Sequence, residues 1–201
     1  MAGDDLVIAD ARLAQRFLLH RIARGGYTLN MDADLKSRLM SALFDKPLVT
    51  NTFRGTLVEA MLAQVLEPEW RWCSADWASH DFENGDGVRL EVKQSAALQS
   101  WYGDGFPPNR GRFDIAARKV RWEGKCRIEQ AGRVASIYIF AWHPVTDVDR
   151  ADHREPKQWQ FHIVRSDALP PQKTIAHSKL SAIAEAVGIE DVPAKLRQAL
   201  S

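Results

Sequence analysis

The residue types that could do chemistry gather between Trp77 and Ser95. This run reads as a β-hairpin, two alternating segments joined by Gly85-Asp86-Gly87, a three-residue loop tolerant of positive φ. Pairing Asn84 with Val88 sets Phe82 opposite Leu90 and Asp81 opposite Glu91. Directly opposed residues project to one face with Cβ atoms ~5 Å apart. The strand period of two adds Lys93 to that face. Val88, Leu90 and Val92 take the other face and suit a core. Two facing carboxylates with a lysine beside them are poorly explained by packing and suit a metal ion. Asp86 is a rival ligand, but it stands at the turn tip, where a turn-forming role accounts for it.

A further acidic group precedes the hairpin. Residues Thr52 to Leu66 read as a helix ending before Pro68, with Phe53, Leu57, Met61, Leu62 and Val65 as a broad buried stripe. Glu59 lies inside this apolar stretch, with Gly55 and Ala63 one turn away on either side. Those small neighbours let the helix approach a sheet closely, and an ionised carboxylate so placed needs compensation. The plainer reading is an exposed helical glutamate. Upstream, Leu6, Leu13, Phe17, Leu18 and Ile22 define a helix over 5–24, stopped by Gly25-Gly26. A second helix begins near Asp32 or Asp34 and runs to Pro47. Neither is strongly basic on one face. Residues 1–48 therefore read as a helical extension packed on a core domain of residues 49–201, the whole forming one compact domain.

Beyond the hairpin, residues 103–111, with Pro107-Pro108, read as loop, and Phe113-Asp114-Ile115 resumes an extended pattern. Between Asn109 and Arg133 stand eight basic and three acidic residues, a local charge of +5. Arg110, Arg112, Arg118, Lys119 and Arg121, near an exposed-looking Trp122, form the candidate surface for a phosphate backbone. A solvated charged hairpin is the alternative. Ser136 to Trp142 is an apolar strand of the kind buried on both faces, and Trp159 to Val164 alternates as the next strand. Pro170-Pro171 breaks the chain, and short helices follow at 178–187, closed by Gly188, and at 191–199. Trp101 and Tyr102 are candidates for base stacking, whereas Trp142 and Trp159 suit a core. The order predicts an α/β fold with a central mixed β-sheet flanked by helices.

Composition narrows the class. The 201 residues are 45% hydrophobic and 26% charged, which is globular, and the net charge of +1 gives no global attraction to an anionic partner. Cys73 and Cys126 are too few for a disulfide framework or a thiolate metal site, and read as reduced thiols of a cytoplasmic protein. No apolar run reaches the ~20 residues of a membrane span. The histidines lack zinc spacing, and Gly-rich phosphate loops and nucleophile elbows are missing.

Glu59 on a helix, Asp81 across from Glu91, and then Glu91-Val92-Lys93 before an apolar strand together resemble the PD-(D/E)xK nuclease superfamily. The resemblance spans roughly residues 50–165 and extends to an uncharacterised bacterial branch through Glu91-Val92-Lys93-Gln94-Ser95-Ala96-Ala97-Leu98-Gln99-Ser100-Trp101. His80 stands where the literal motif has proline. The resemblance implies a restriction-endonuclease-like core and a metal-dependent endonuclease acting on DNA, in restriction or defence, or in repair or recombination. Asp81 and Glu91 offer hard oxygen ligands suited to Mg²⁺ or Mn²⁺, with the Val92 backbone carbonyl and Glu59 as further ligands. Lys93 would position the attacking water or stabilise phosphoryl oxygens, and Gln99 would orient the water or the scissile phosphate. Cleavage of both strands would favour a homodimer. The rival readings are a catalytically silent nucleic-acid-binding module of the same fold, and an interaction protein in which these charges merely pair.

Overall fold

The computed structural model describes residues 28–73, 78–101, 106–123 and 126–200; the helix expected over 5–24 lies outside them. Contacts divide the chain into two units, residues 1–45 and 46–201. In the first, the described element is helix α1 (Thr28–Phe44). It begins before the expected aspartate cap, the nearest strong breaker upstream being Gly25-Gly26.

The second unit is built on strand β7 (Ile137–His143), in which every residue is buried. Ile137, Ile139 and Ala141 enter one apolar cluster; Tyr138, Phe140 and Trp142 enter another. A strand covered on both faces needs no polar alternation, which is why the sequence reads as continuously apolar there. The sheet around it runs in the order β1 (Trp70–Trp72), β2 (Phe82–Asn84), β3 (Arg89–Ala96), β7, β8 (Gln160–Arg165) and β10 (Ala186–Val187). β3 and β7 pair in parallel and the remaining neighbours are antiparallel. The fold is thus α/β with a mixed central sheet flanked by helices, as the sequence predicts.

Helix α2 (Asn51–Leu66) covers the first face, burying Val58, Met61, Leu62 and Leu66 against Leu90 and Val92, with Val192 and Leu196 of the C-terminal helix α4 (Val192–Leu200) alongside. The buried stripe is rotated from the expected one: Phe53 is 38% exposed, while Arg54 is 1% exposed. Arg54, Val58, Leu62 and Leu66 form the i, i+4 row that faces inward.

The second face is covered by β4 (Arg112–Asp114) paired with β9 (Thr174–Ala176), whose Phe113 and Ile175 join the second cluster. A separate antiparallel hairpin consists of β5 (Arg118–Glu123) and β6 (Cys126–Gly132). The helix expected over 178–187 is a single turn, α3 (His177–Leu180). Ala186 and Val187 instead pair with His162 and Phe161, giving the edge of β8 a partner for its backbone groups.

Candidate active site

The β2–β3 hairpin has the expected register. Phe82 faces Leu90, Glu83 faces Arg89, and the Asn84 amide donates to the Val88 carbonyl at 3.1 Å. Asn84 also closes the turn, its Oδ1 accepting from the amides of Asp86 (3.1 Å) and Val88 (2.8 Å). Asp86 is exposed at the tip, in the turn role expected of it.

Asp81 lies just before β2, and its amide donates to the Leu90 carbonyl at 2.9 Å. Its Oδ2 accepts from the Val92 amide at 2.6 Å, so the carboxylate is fixed to β3 by the backbone of a residue between Glu91 and Lys93. Lys93 Nζ donates to Glu91 Oε1, and both side chains are only partly exposed. From α2, Glu59 is half-buried, and its Oε2 accepts from Trp72 Nε1 at 3.0 Å.

The three carboxylates feel one another. Burial first, then the charges of Glu91 and Glu59, push Asp81 up to about 8, against the opposing pull of the Val92 amide and Lys93. Burial likewise raises Glu59, with Glu91 adding and the Trp72 hydrogen bond and Lys93 subtracting. Such crowding of like charge at the edge of a core is an arrangement that a cation relieves. Glu59, Asp81 and Glu91 do not form a closed cage. Among the described residues, the trio whose ligand atoms all lie within 4.8 Å of one another is Cys73, His80 and Glu83. Both Glu83 oxygens are already engaged, by Arg71 at 2.7 Å and Arg89 at 3.5 Å, so that trio reads as an ion-pair cluster.

Lys93 and Val92 also line a cleft of about 790 Å³, with Gln94, Gln99, Trp101 and Arg112. Gln99 is brought there with both ends of its amide held: Nε2 donates to the Ala96 carbonyl at 2.8 Å, and Oε1 accepts from Arg54 Nη2 at 3.2 Å. Trp101 is 69% exposed and meets Phe106 edge-on at 6.2 Å between ring centroids.

Of the basic candidates, Arg110, Arg112, Arg118 and Lys119 are exposed. Arg112 bonds Thr174 at 3.0 Å and Arg118 bonds Asp114. Arg121 lies on β5, its side chain outside the described residues together with those of Tyr102, Trp122 and Lys125. Arg133 does not belong to an open basic face. Its guanidinium donates to the carbonyls of Ile115, Ser166, Leu169 and Pro170 at 2.6–3.3 Å, tying the segment after β4 to the stretch that follows β8. Trp142 and Trp159 are buried, as expected.

Arg54 is absent from the sequence-derived list, and Asn51 and Gln94 with it. The signal in the sequence is an arginine in phase with Val58, Leu62 and Leu66, a second apolar row on the same helix.

No family model matches the sequence, and no curated protein matches it. Among solved structures the chain is similar to a bacterial homing endonuclease, over 63% of this chain and 76% of that one, at 12% identity and a TM-score of 0.34. At that score the likeness carries no weight for chemistry. No helix among the described residues is long and apolar enough to cross a membrane.

Proposed function

We propose that the protein is a metal-dependent deoxyribonuclease that hydrolyses phosphodiester bonds, with Asp81, Glu91 and Lys93 as its centre. The observation that carries this reading is the hairpin register. It sets Asp81 beside Glu91 and Lys93, of which Lys93 also lines the cleft, with Glu59 close enough to raise the Asp81 pKa.

The donor set suits a hard divalent cation, since its atoms are carboxylate oxygens whose mutual repulsion is unrelieved by any full complement of cationic partners. Asp81 and Glu91 would hold Mg²⁺ or Mn²⁺, with the Val92 carbonyl and Glu59 as further ligands. When bound, the cation supplies an acidified water and neutralises charge on the phosphate. The chain contributes the rest. Val92 N–H holds the Asp81 carboxylate in place, and Trp72 fixes Glu59. Lys93, kept against Glu91, carries protons on Nζ that stabilise developing charge on a phosphoryl oxygen. Gln99, clamped at both ends, lines the path a strand would take past Lys93.

The test is incubation of purified protein with supercoiled and linear DNA, with Mg²⁺ or Mn²⁺, with and without chelator. Chelator-sensitive cleavage supports the proposal. DNA binding without cleavage in either metal would sink it in favour of a silent nucleic-acid-binding module.

A further inference from the structure

The carboxylate cluster leaves one buried charge unexplained. Arg54 sits in α2, 1% exposed, with its hydrogen-bonding groups turned toward neutral partners. Nε donates to Gln94 Oε1 at 2.6 Å, and Nη2 donates to Asn51 Oδ1 at 2.8 Å and Gln99 Oε1 at 3.2 Å. Nη1 is buried with no hydrogen-bond partner. Burial lowers the group only to about 10, so it stays charged at neutral pH. Its neighbours His143 and His153 are held toward the neutral form, in part by the same charge. A buried cation normally has a carboxylate, and one without it is costly unless a ligand supplies the counter-charge.

The place for that ligand is the adjoining cleft. Arg54, Gln94 and Gln99 line it together with Lys93. Among the described residues its one acidic lining group, Asp114, is already bonded to Arg118. The volume of about 790 Å³ accommodates a nucleotide-sized group, and low-dielectric walls focus the field of a charge set behind them.

We infer that Arg54 is the counter-charge for a phosphate group of DNA seated in this cleft, acting from behind the amide frame of Asn51, Gln94 and Gln99. This deepens the nuclease reading and rests on it. Arg54 is a positioning residue: it sets the amides and the potential, and Lys93 is the nearer charge.

The experiment measures binding without turnover, as fluorescence polarisation of a short labelled DNA duplex in chelator, for the wild-type chain, Arg54→Lys, Arg54→Met and Gln94→Glu, with inorganic phosphate as competitor and thermal melting as a folding control. Gln94→Glu sets a carboxylate against the guanidinium without removing it. It offsets the charge with Arg54 still in place, giving up the two hydrogen bonds that Gln94 Nε2 donates to Asn51 at 3.2 and 3.1 Å, and so tests the charge even where Arg54→Met fails to fold. Losing one charge-assisted contact predicts binding weakened about 10- to 100-fold in Gln94→Glu and Arg54→Met, with Arg54→Lys retaining most of the affinity. The melting temperature of Gln94→Glu is held or raised. Wild-type cleavage with Gln94→Glu binding as tightly as wild type overturns the Arg54 assignment and leaves the nuclease reading intact. A wild-type chain that neither binds nor cuts DNA overturns both.

Discussion

Acidification should destabilise this fold in large part through a buried ring, His153. The ring is fully buried, its Nδ1 accepts from the Val49 amide at 3.0 Å, and it packs edge-on against His143 at 4.8 Å between centroids. Burial first, then the Arg54 charge and His143, hold it down to about 3, far below the ordinary 6.5. The unfolded chain therefore takes up a proton below about pH 6.5 that the folded chain refuses until about pH 3. Stability is complete above the unfolded value and is lost as the pH falls between the two. Each pH unit well inside this window costs about 1.4 kcal/mol, so going from pH 6.5, where the unfolded ring is half protonated, to 4.5 removes ~2.3 kcal/mol. Asp81 and Glu59 are raised and tilt the curve the opposite way, so the wild-type curve alone is not diagnostic. The reading is the difference between wild type and His153→Asn, whose carboxamide can still accept from Val49 but does not titrate. Urea melts of both across this range should diverge by about one proton's slope, wild type falling faster. Parallel curves would refute the buried neutral histidine.

Two further changes follow from the same geometry. Asp81 is raised, so its contribution to stability is present below about pH 4 and is lost as pH rises through about 8. Asp81→Asn, which keeps an acceptor for the Val92 amide, should therefore raise the melting temperature at pH 8 in chelator. Relief of ~1 kcal/mol corresponds to about 2–4 °C for a chain this size, and a drop would contradict the repulsion argument. Gly111 has φ +79°, and an added Cβ would lie 2.8 Å from His177 Cβ and 3.1 Å from Trp142 Cζ3. Gly111→Ala should cost roughly 1–3 kcal/mol by denaturant unfolding, the range of overpacking and of strained positive φ. An unchanged midpoint would show that the turn gives way freely.

What could be read from the sequence differs by element, for physical reasons. The hairpin was legible because its register follows from a short turn and a period of two, and the β7 strand because burial on both faces leaves a continuous apolar run from Ile137 to Trp142. The rotation of α2 was not legible. That helix is apolar around much of its circumference, so Phe53 and Arg54 were equally good inward positions by spacing. Misjudging that rotation hid the Arg54 frame, since the frame depends on Asn51, Gln94 and Gln99 converging from α2, β3 and the segment after it. The short β10 strand was mistaken for helix because two residues carry no periodicity, and only the open edge of β8 calls for them. Arg133 was counted as surface charge because its four carbonyl partners are remote in sequence.

In the proposed function Asp81 and Lys93 do the chemistry of phosphodiester hydrolysis. That assignment is tested most directly by single-turnover DNA cleavage in Mg²⁺ for wild type, Asp81→Asn and Lys93→Ala, with DNA affinity measured in parallel. Each variant should lose about 10²- to 10³-fold in rate or more, the scale of removing one preorganised charge-stabilising group, with Asp81→Asn binding DNA within a few-fold of wild type and Lys93→Ala losing affinity as well as rate. Cleavage at the wild-type rate by either variant would contradict it.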